Sequence, residues 1–370
     1  MPSSFFHVFI PCIRSGNVQV VQQDIQEDID ESWMGQWNNT IPRKCLYSVS
    51  GIPPSDAFQH FGSGSWSQFS STNTDDAWDR IRWQLEECDT VSGVQMLVDI
   101  DSGWGGYGSS ILERVREECK SASIVVYGMD QDSTLTLEED ALRKRRARRK
   151  MNVALATHHL HETASMYIPV SLTEGDHERA AESMSALTST ICEKTSNVKK
   201  LDDLIGAVLH TPSLKMAEMA FLSPYVYSSP DFSNVYERFQ NSSWLPKTHH
   251  STFTGFRSWM TFSGRSSFVP ASHQKTFFQS LSNGPYPKWQ FAQVDVEDHE
   301  DEETIGPNEV GSIVQLSTSS RVGDYLQQIG NDVAKIDPRM LHEQQALGIE
   351  RDDLIETSAA LLRIAGSATS

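Results

Sequence analysis

Apolar positions recur at three- and four-residue intervals from Asp76, where Trp78, Ile81, Leu85 and Cys88 share one side and charged residues fill the other. That spacing predicts an amphipathic helix, with Gly93 as its stop. The compact run Val94-Gln95-Met96-Leu97-Val98-Asp99-Ile100 follows and reads as a strand buried on both faces. Asp101 to Ser110 then holds four glycines and reads as a loop. Ser110, three residues before Glu113, reads as a capping box for a helix with Ile111, Leu112, Val115 and Cys119 inward. Ser123 to Gly128 predicts a second buried strand. Strand, glycine-rich loop, helix and strand form one βαβ unit, so the fold class is α/β with a parallel sheet flanked by helices.

Elsewhere the pattern is coarser. Gly51-Ile52-Pro53-Pro54 and Gly62-Ser63-Gly64-Ser65 read as breakers between short apolar runs. Residues 129–150 read as a charged connection, followed by a helix from Met151 to about Ser165, an extended Met166 to Leu172, and an apolar helix over Leu201 to Leu209. Long loops around a few strands are expected over 225–320. Tyr325 to Ile336 reads as a helix, Asp337-Pro338 as the cap and first-turn proline of a helix to Leu347, and Asp352 to Ile364 as a last amphipathic helix. The expected divisions are a loop-rich segment 1–75, an α/β domain 76–220, and a loop-rich second region 221–370 with a helical C-terminal subdomain.

Charge narrows the function classes. The 370 residues carry 31 Lys and Arg against 49 Asp and Glu, a formal net charge of −18, so a broad surface for nucleic-acid phosphates is not expected. Five cysteines, Cys12, Cys45, Cys88, Cys119 and Cys192, contain no CxxC pair, which suits a reducing compartment better than a disulfide framework or a zinc ribbon. No run reaches the roughly 18 to 20 apolar residues that cross a bilayer. Phe5 to Ile10 has no basic flank and meets Pro11 at once, so a strand is expected there and not a signal sequence. The acidic stretch Asp24 to Glu31 argues against import into the mitochondrial matrix.

The glycine-rich stretch is the most informative chemistry. Gly103, Gly105, Gly106 and Gly108, with Ser109 and Ser110, stand between a buried strand and a helix start, where backbone N–H groups and the helix dipole suit a phosphate. It is neither GxxxxGK[ST] nor GxGxxG, no lysine accompanies it, and Asp101 beside Asp99 repels phosphate. The alternative is a tight turn covered by Trp104 and Tyr107. His158, His159, His161 and Glu162 crowd one helix without the HExxH spacing, and read as ordinary helix residues with no metal assigned. His249 and His250 lie in a Ser/Thr-rich loop. Seven of the eight residues Arg143, Lys144, Arg145, Arg146, Ala147, Arg148, Arg149 and Lys150 are basic, and Asp295 to Glu303 holds seven carboxylates. The basic run reads as an interaction segment, whether a nuclear signal, an RNA contact or an anchor on anionic lipid, or else as a solvated helix start or a partner for the chain's own acidic run. No catalytic constellation is visible.

The text Val91-Ser92-Gly93-Val94-Gln95 through Asp101-Ser102-Gly103-Trp104-Gly105-Gly106-Tyr107-Gly108-Ser109-Ser110 resembles the Misato family, including its fungal mitochondrial-inheritance members. Glu86-Glu87-Cys88-Asp89, Met151-Asn152-Val153-Ala154-Leu155 through Ile168-Pro169-Val170-Ser171-Leu172, Val333 to Asp337 and Gly348 to Leu354 resemble it too. Misato proteins are distant relatives of tubulin and FtsZ, whose GGGTGSG loop holds nucleotide phosphates. The resemblance therefore implies a tubulin-like fold, with Asp101 to Tyr107 in place of that loop and Asn152 beside it as a vestigial nucleotide residue. Trp104 stands where the tubulin signature has Thr, and Asp101, Ser102 and Tyr107 replace glycines. The tubulin catalytic loop GxxNxD has no counterpart in Ser213 to Glu218, and the family's first strand and glycine loop are expected to be missing, which would leave a sheet edge uncovered.

The degraded loop and the missing catalytic loop are expected of a protein that is not an enzyme and holds no cofactor, and the resemblance implies that it acts by binding in the partitioning of mitochondria and mitochondrial DNA. The expected location is the outer mitochondrial surface and the cytoplasm. The alternatives are a divergent GTP-binding GTPase and a cytosolic partner of tubulin or of the chaperonin that folds it.

Overall fold

In the computed structural model, the described residues are 58–65, 67–86, 93–131, 139–173, 176–192, 201–222, 241–246, 254–264, 288–295, 312–340 and 342–368, with short pieces at 6–9, 12–13, 49, 88, 90–91, 225–226 and 309–310. The elements run β1 (Phe6–Phe9), β2 (Cys12–Ile13), α1 (Phe61–Ser65), α2 (Ser67–Glu86), β3 (Thr90–Val91), β4 (Val94–Asp99), α3 (Gly103–Glu118), β5 (Ile124–Gln131), α4 (Glu139–Thr163) and β6 (Met166–Leu172). Then come α5 (His177–Cys192), α6 (Leu201–Val208), β7 (Glu218–Leu222), β8 (Tyr225–Val226), β9 (Gly255–Gly264), β10 (Lys288–Asp295), β11 (Glu309–Val310) and β12 (Ser312–Ser319). The chain closes on α7 (Ser320–Ala334), a 3-10 turn (Pro338–Met340), α8 (His342–Gln345) and α9 (Arg351–Ala368).

β4, β5 and β6 are parallel neighbours, with Val94 opposite Ile124 and Val125 opposite Met166. The βαβ unit expected from the sequence is therefore present. The edge beside β4 carries β1 in antiparallel register, Phe6 opposite Val98, in the stretch where a strand is expected. Because side chains alternate along a strand, the sheet feeds two cores. Val94, Met96, Val98 and Val126 pack with Ile111, Leu112, Leu155, Leu326 and Leu361 from α3, α4, α7 and α9. Val125, Tyr127, Ile168 and Val170 pack on the other side with Leu187, Leu204, Phe221 and Trp259.

A second sheet, ordered β10-β9-β12-β7, completes that other side. Tyr167 accepts from Ala217 N and donates its own N–H to Lys215 O, so the approach to β7 extends the β6 edge. Glu218, 3% exposed, accepts from Ser243, Ser317 and Ser319 and lies 3.4 Å from the Arg321 guanidinium. Such a buried carboxylate is tolerable only with this many donors around it.

Several boundaries differ from the sequence reading. The helix expected from Asp76 begins at Ser67 and stops at Glu86, before Gly93. Gly62 to Ser65, expected as a breaker, is a buried helical turn. Within the connection expected over 129–150, residues 129–131 end β5 and residues 139–150 form the first half of the 25-residue α4. Asp337 does cap the following turn, its side chain accepting from Arg339 N, but the helix expected to Leu347 divides into the 3-10 turn and α8. The helix α5 falls in a stretch for which the sequence reading named no element. The calls on Gly51 to Pro54, His249, His250 and the acidic run beyond Asp295 lie outside the described residues.

The glycines of α1 and α3 mark the closest approach in the first core. A Cβ on Gly64 would stand 1.8 Å from Gly103 O, and one on Gly106 would stand 2.1 Å from Phe61 O. Gly106→Ala is therefore expected to lower stability by about 3 kcal/mol in urea denaturation. Gly366→Ala, on α9 with nothing within 4 Å, is expected to raise it by about 0.5 kcal/mol. Equal effects of the two substitutions would contradict this packing.

Candidate functional site

Ligands of parallel α/β sheets gather at the C-terminal strand ends, against the first turn of the following helix, because that turn leaves N–H groups without intrahelical acceptors. Here the place lies between Asp99 and Ser110. Helix α3 starts at Gly103, with Ser102 as its N-cap, so the expected loop 101–110 and capping box at Ser110 are both replaced by helix. Ser109 and Ser110 turn their hydroxyls back onto Gly105 O and Gly106 O. The glycines lower helix propensity, but at Gly103 and Gly106 any side chain would collide with the chain in front.

The N–H groups of that first turn already have acceptors. Gly103 N donates to Phe58 O at 3.0 Å, Trp104 N to the Ser102 hydroxyl at 3.3 Å, and Gly105 N to Ser102 O at 3.2 Å. Residues 58–65 fill the space where a phosphate would lie. The Phe58 ring meets Trp104 edge-on at 5.1 Å, and Tyr107, fully buried, donates to Asn73 O. Gly105, Gly106 and Gly108 are buried with it.

Asn152 fastens this arrangement. It has no exposed surface, accepts from Phe61 N at 2.9 Å and the Gln344 amide at 3.1 Å, and donates to Gln59 O and Asp101 O, both at 2.7 Å. Every hydrogen-bonding position of its side-chain amide is thus used by the protein itself. The structure places Asn152 at the glycine turn, through its bond to Asp101 O. It meets backbone there.

Negative charge gathers at the same edge. Asp130, at the end of β5, takes a two-pronged bond from Arg149 at 2.7 and 2.9 Å. Burial, and then the Asp130 charge, raise the Asp101 carboxyl to about 7, against the opposing pull of Arg149, the Gln131 backbone N–H and Arg145. A phosphate would meet these carboxylates as well as a filled space.

The basic run divides by helical position. Arg149 is committed to Asp130, Lys150 reaches Asp332 on α7 at 3.2 Å, and Arg145 lies near enough to act on Asp101. Arg143, Lys144 and Arg146 are exposed, while Arg148 is half-buried. The histidines do not converge: His159 stacks on Phe61, and His161, held down to about 4 by burial with Lys215 and His158 adding to it, lies inside. An open cleft of about 580 Å³ lined by Glu113, Arg116, Glu162, Ser165 and Lys215 lies at the opposite ends of the strands. There Arg116 donates to Thr163 O, Ala122 O and Ser165, and Lys215 to Glu162 O, so both cations hold turns of the chain.

The sequence reading missed Phe58 to Ser65, Asp130 and Gln344 as parts of this site. The one signal for the first was the paired small residues Gly62 and Gly64, which fit against a second glycine-rich turn. Nothing local marks Gln344.

Protonation of Asp101 contributes stability that is complete below about pH 3.8 and is lost as pH rises through about 7. Asp101→Asn is expected to melt higher than the parent at pH 8, with the difference vanishing near pH 4. A pH-independent difference in melting temperature would contradict the assigned burial of this carboxyl.

Residues 56–201 match the family described as Tubulin domain. Among curated proteins, the chain is 34% identical over 83 residues to Protein DML1 of Kluyveromyces lactis, covering 22% of this chain and 18% of that protein. It is 33% identical over 107 residues to Protein dml1 of Schizosaccharomyces pombe, covering 27% and 22%, and 34% identical over 96 residues to Protein misato of Drosophila melanogaster, covering 26% and 17%. These alignments span less than a quarter of each relative's length. The match falls on the elements that build the glycine turn, the parallel strands around it and the helix bearing Asn152, and over these residues the chain carries a tubulin-like domain similar to the DML1 and misato proteins.

Proposed function

We propose that this tubulin-like protein is not an enzyme and acts by binding, in the partitioning of mitochondria and the inheritance of mitochondrial DNA. One observation carries the non-enzymatic part. The start of α3, where a tubulin-like fold would present N–H groups to nucleotide phosphates, already donates to Phe58 O and Ser102, and residues 58–65 fill the space before it. A phosphate there would need new donors, displacement of α1, and tolerance of Asp101 and Asp130 nearby. The place in mitochondrial inheritance is supported by the likeness to the fungal members of the family, and the outer mitochondrial surface and cytoplasm are the corresponding locations. Tubulin or the cytosolic chaperonin are the protein partners that a binding role would bring in. Nucleic acid is not among them, given the net charge of −18.

Titration calorimetry of the full chain with GTP and Mg²⁺ is expected to give no saturable heat. Saturable binding accompanied by GTP hydrolysis would replace this reading with the divergent GTPase. In dividing cells, rapid depletion of the protein is expected to lower mitochondrial DNA copy number before growth or microtubules change. Early microtubule loss with intact mitochondrial DNA would instead place its action on tubulin.

A further inference from the structure

The first half of α4, Glu139 to Lys150, contains no buried residue, whereas Met151 to Thr157 is buried throughout. Its base is gripped twice, by Arg149 on Asp130 and by Lys150 on Asp332. The exposed half therefore continues a helix whose other half is fixed in the core, and it holds its shape without a partner. At 1.5 Å per residue it is about 18 Å long, roughly twice the screening length of about 8 Å at physiological ionic strength. Leu142, Arg145, Ala147 and Arg148 on one side of it are half-buried, while Arg143, Lys144 and Arg146 face solvent.

The structure also limits what this segment can hold. Of the seven cations, Arg149 and Lys150 are paired internally, Arg145 acts on Asp101, and Arg148 is half-buried with contacts of its own. Arg143, Lys144 and Arg146 remain on the outside, with Arg143 loosely beside Asp140 at 3.6 Å. Lys144 and Arg146 have no ionic partner among the described residues. Three outward cations fall short of the four to eight that hold a segment on an anionic membrane. The only apolar residues here are Ala141, Leu142 and Ala147, so the helix has no face to insert into lipid. Nucleic acid gains its affinity from many simultaneous phosphate contacts, which three cations on a chain of net charge −18 do not provide. A short acidic peptide needs only a few carboxylates, and the guanidinium forks of Arg143 and Arg146, one helical turn apart, suit carboxylates in pairs.

We propose that Arg143, Lys144 and Arg146 form a docking site for a short acidic segment of a partner protein, bound through its carboxylates to the exposed side of this helix. This site does not depend on the mitochondrial reading or on the state of the glycine turn.

The test is fluorescence anisotropy of a labelled eight-residue polyglutamate peptide against the full chain, at 50 and 200 mM salt. The triple variant Arg143→Ser, Lys144→Ser, Arg146→Ser is the comparison, and its melting temperature is expected to match the parent because the three side chains are exposed. The parent is expected to bind the peptide with affinity that falls as salt rises, and the variant to bind at least tenfold more weakly. A conservative Arg143→Lys, Arg146→Lys variant is expected to recover only part of the loss. Equal peptide affinity in parent and triple variant, or no binding by the parent, overturns the proposal. So does tighter binding of the parent to phosphatidylserine vesicles, or to an eight-nucleotide single-stranded RNA, than to the peptide.

Discussion

The organisation of the first core rests on a backbone-to-backbone contact between Phe61–Ser65 and the first turn of the helix from Gly103. A helix start exposes N–H groups that need acceptors, and here a carbonyl from the same chain and the Ser102 cap supply them. The contact is close enough that a methyl group at Gly64 or Gly106 would overlap backbone atoms. Hydrogen bonding and shape act together: the donors are occupied, and the volume beside them is filled. A tubulin-like framework is thereby kept while the place that would face a phosphate becomes part of the core.

Asn152 makes that contact specific. Its amide reads two carbonyls and one N–H on the segments it joins, and the fourth position is met by Gln344 from the far end of the sequence. The C-terminal helices consequently close over the same site, with Leu347 packing on Gly62. The helix that carries Asn152 also carries the basic run, and one carboxylate at the end of β5 and one on α7 decide how that run is divided. Asp130 and Asp332 draw in Arg149 and Lys150, while Arg143, Lys144 and Arg146 are left facing solvent. One helix therefore has an inward half that completes the core and an outer half in which three cations face solvent.

Much of this protein was legible in its sequence where the signal is local. Compact apolar runs with β-branched residues located β4 and β5, because a strand buried on both faces leaves such a run, and Met166 to Leu172 was read as extended. Three- and four-residue spacing located the C-terminal helices for the same kind of reason, and the Asp337 cap was readable because it acts on the next two residues. The glycines between Asp101 and Ser110 announced an unusual close approach. What they approach was not readable, since glycine signals lack of a side chain and carries no label for its neighbour. Only the tertiary structure decided that the neighbour is residues 58–65 of the same chain, turning an expected loop into a helix start. It likewise decided that Asn152 meets Gln344 across the chain and that four of seven basic residues are engaged internally. Each of these outcomes depends on pairings between distant segments, which the packing of the whole sheet sets and the local pattern of a sequence does not record.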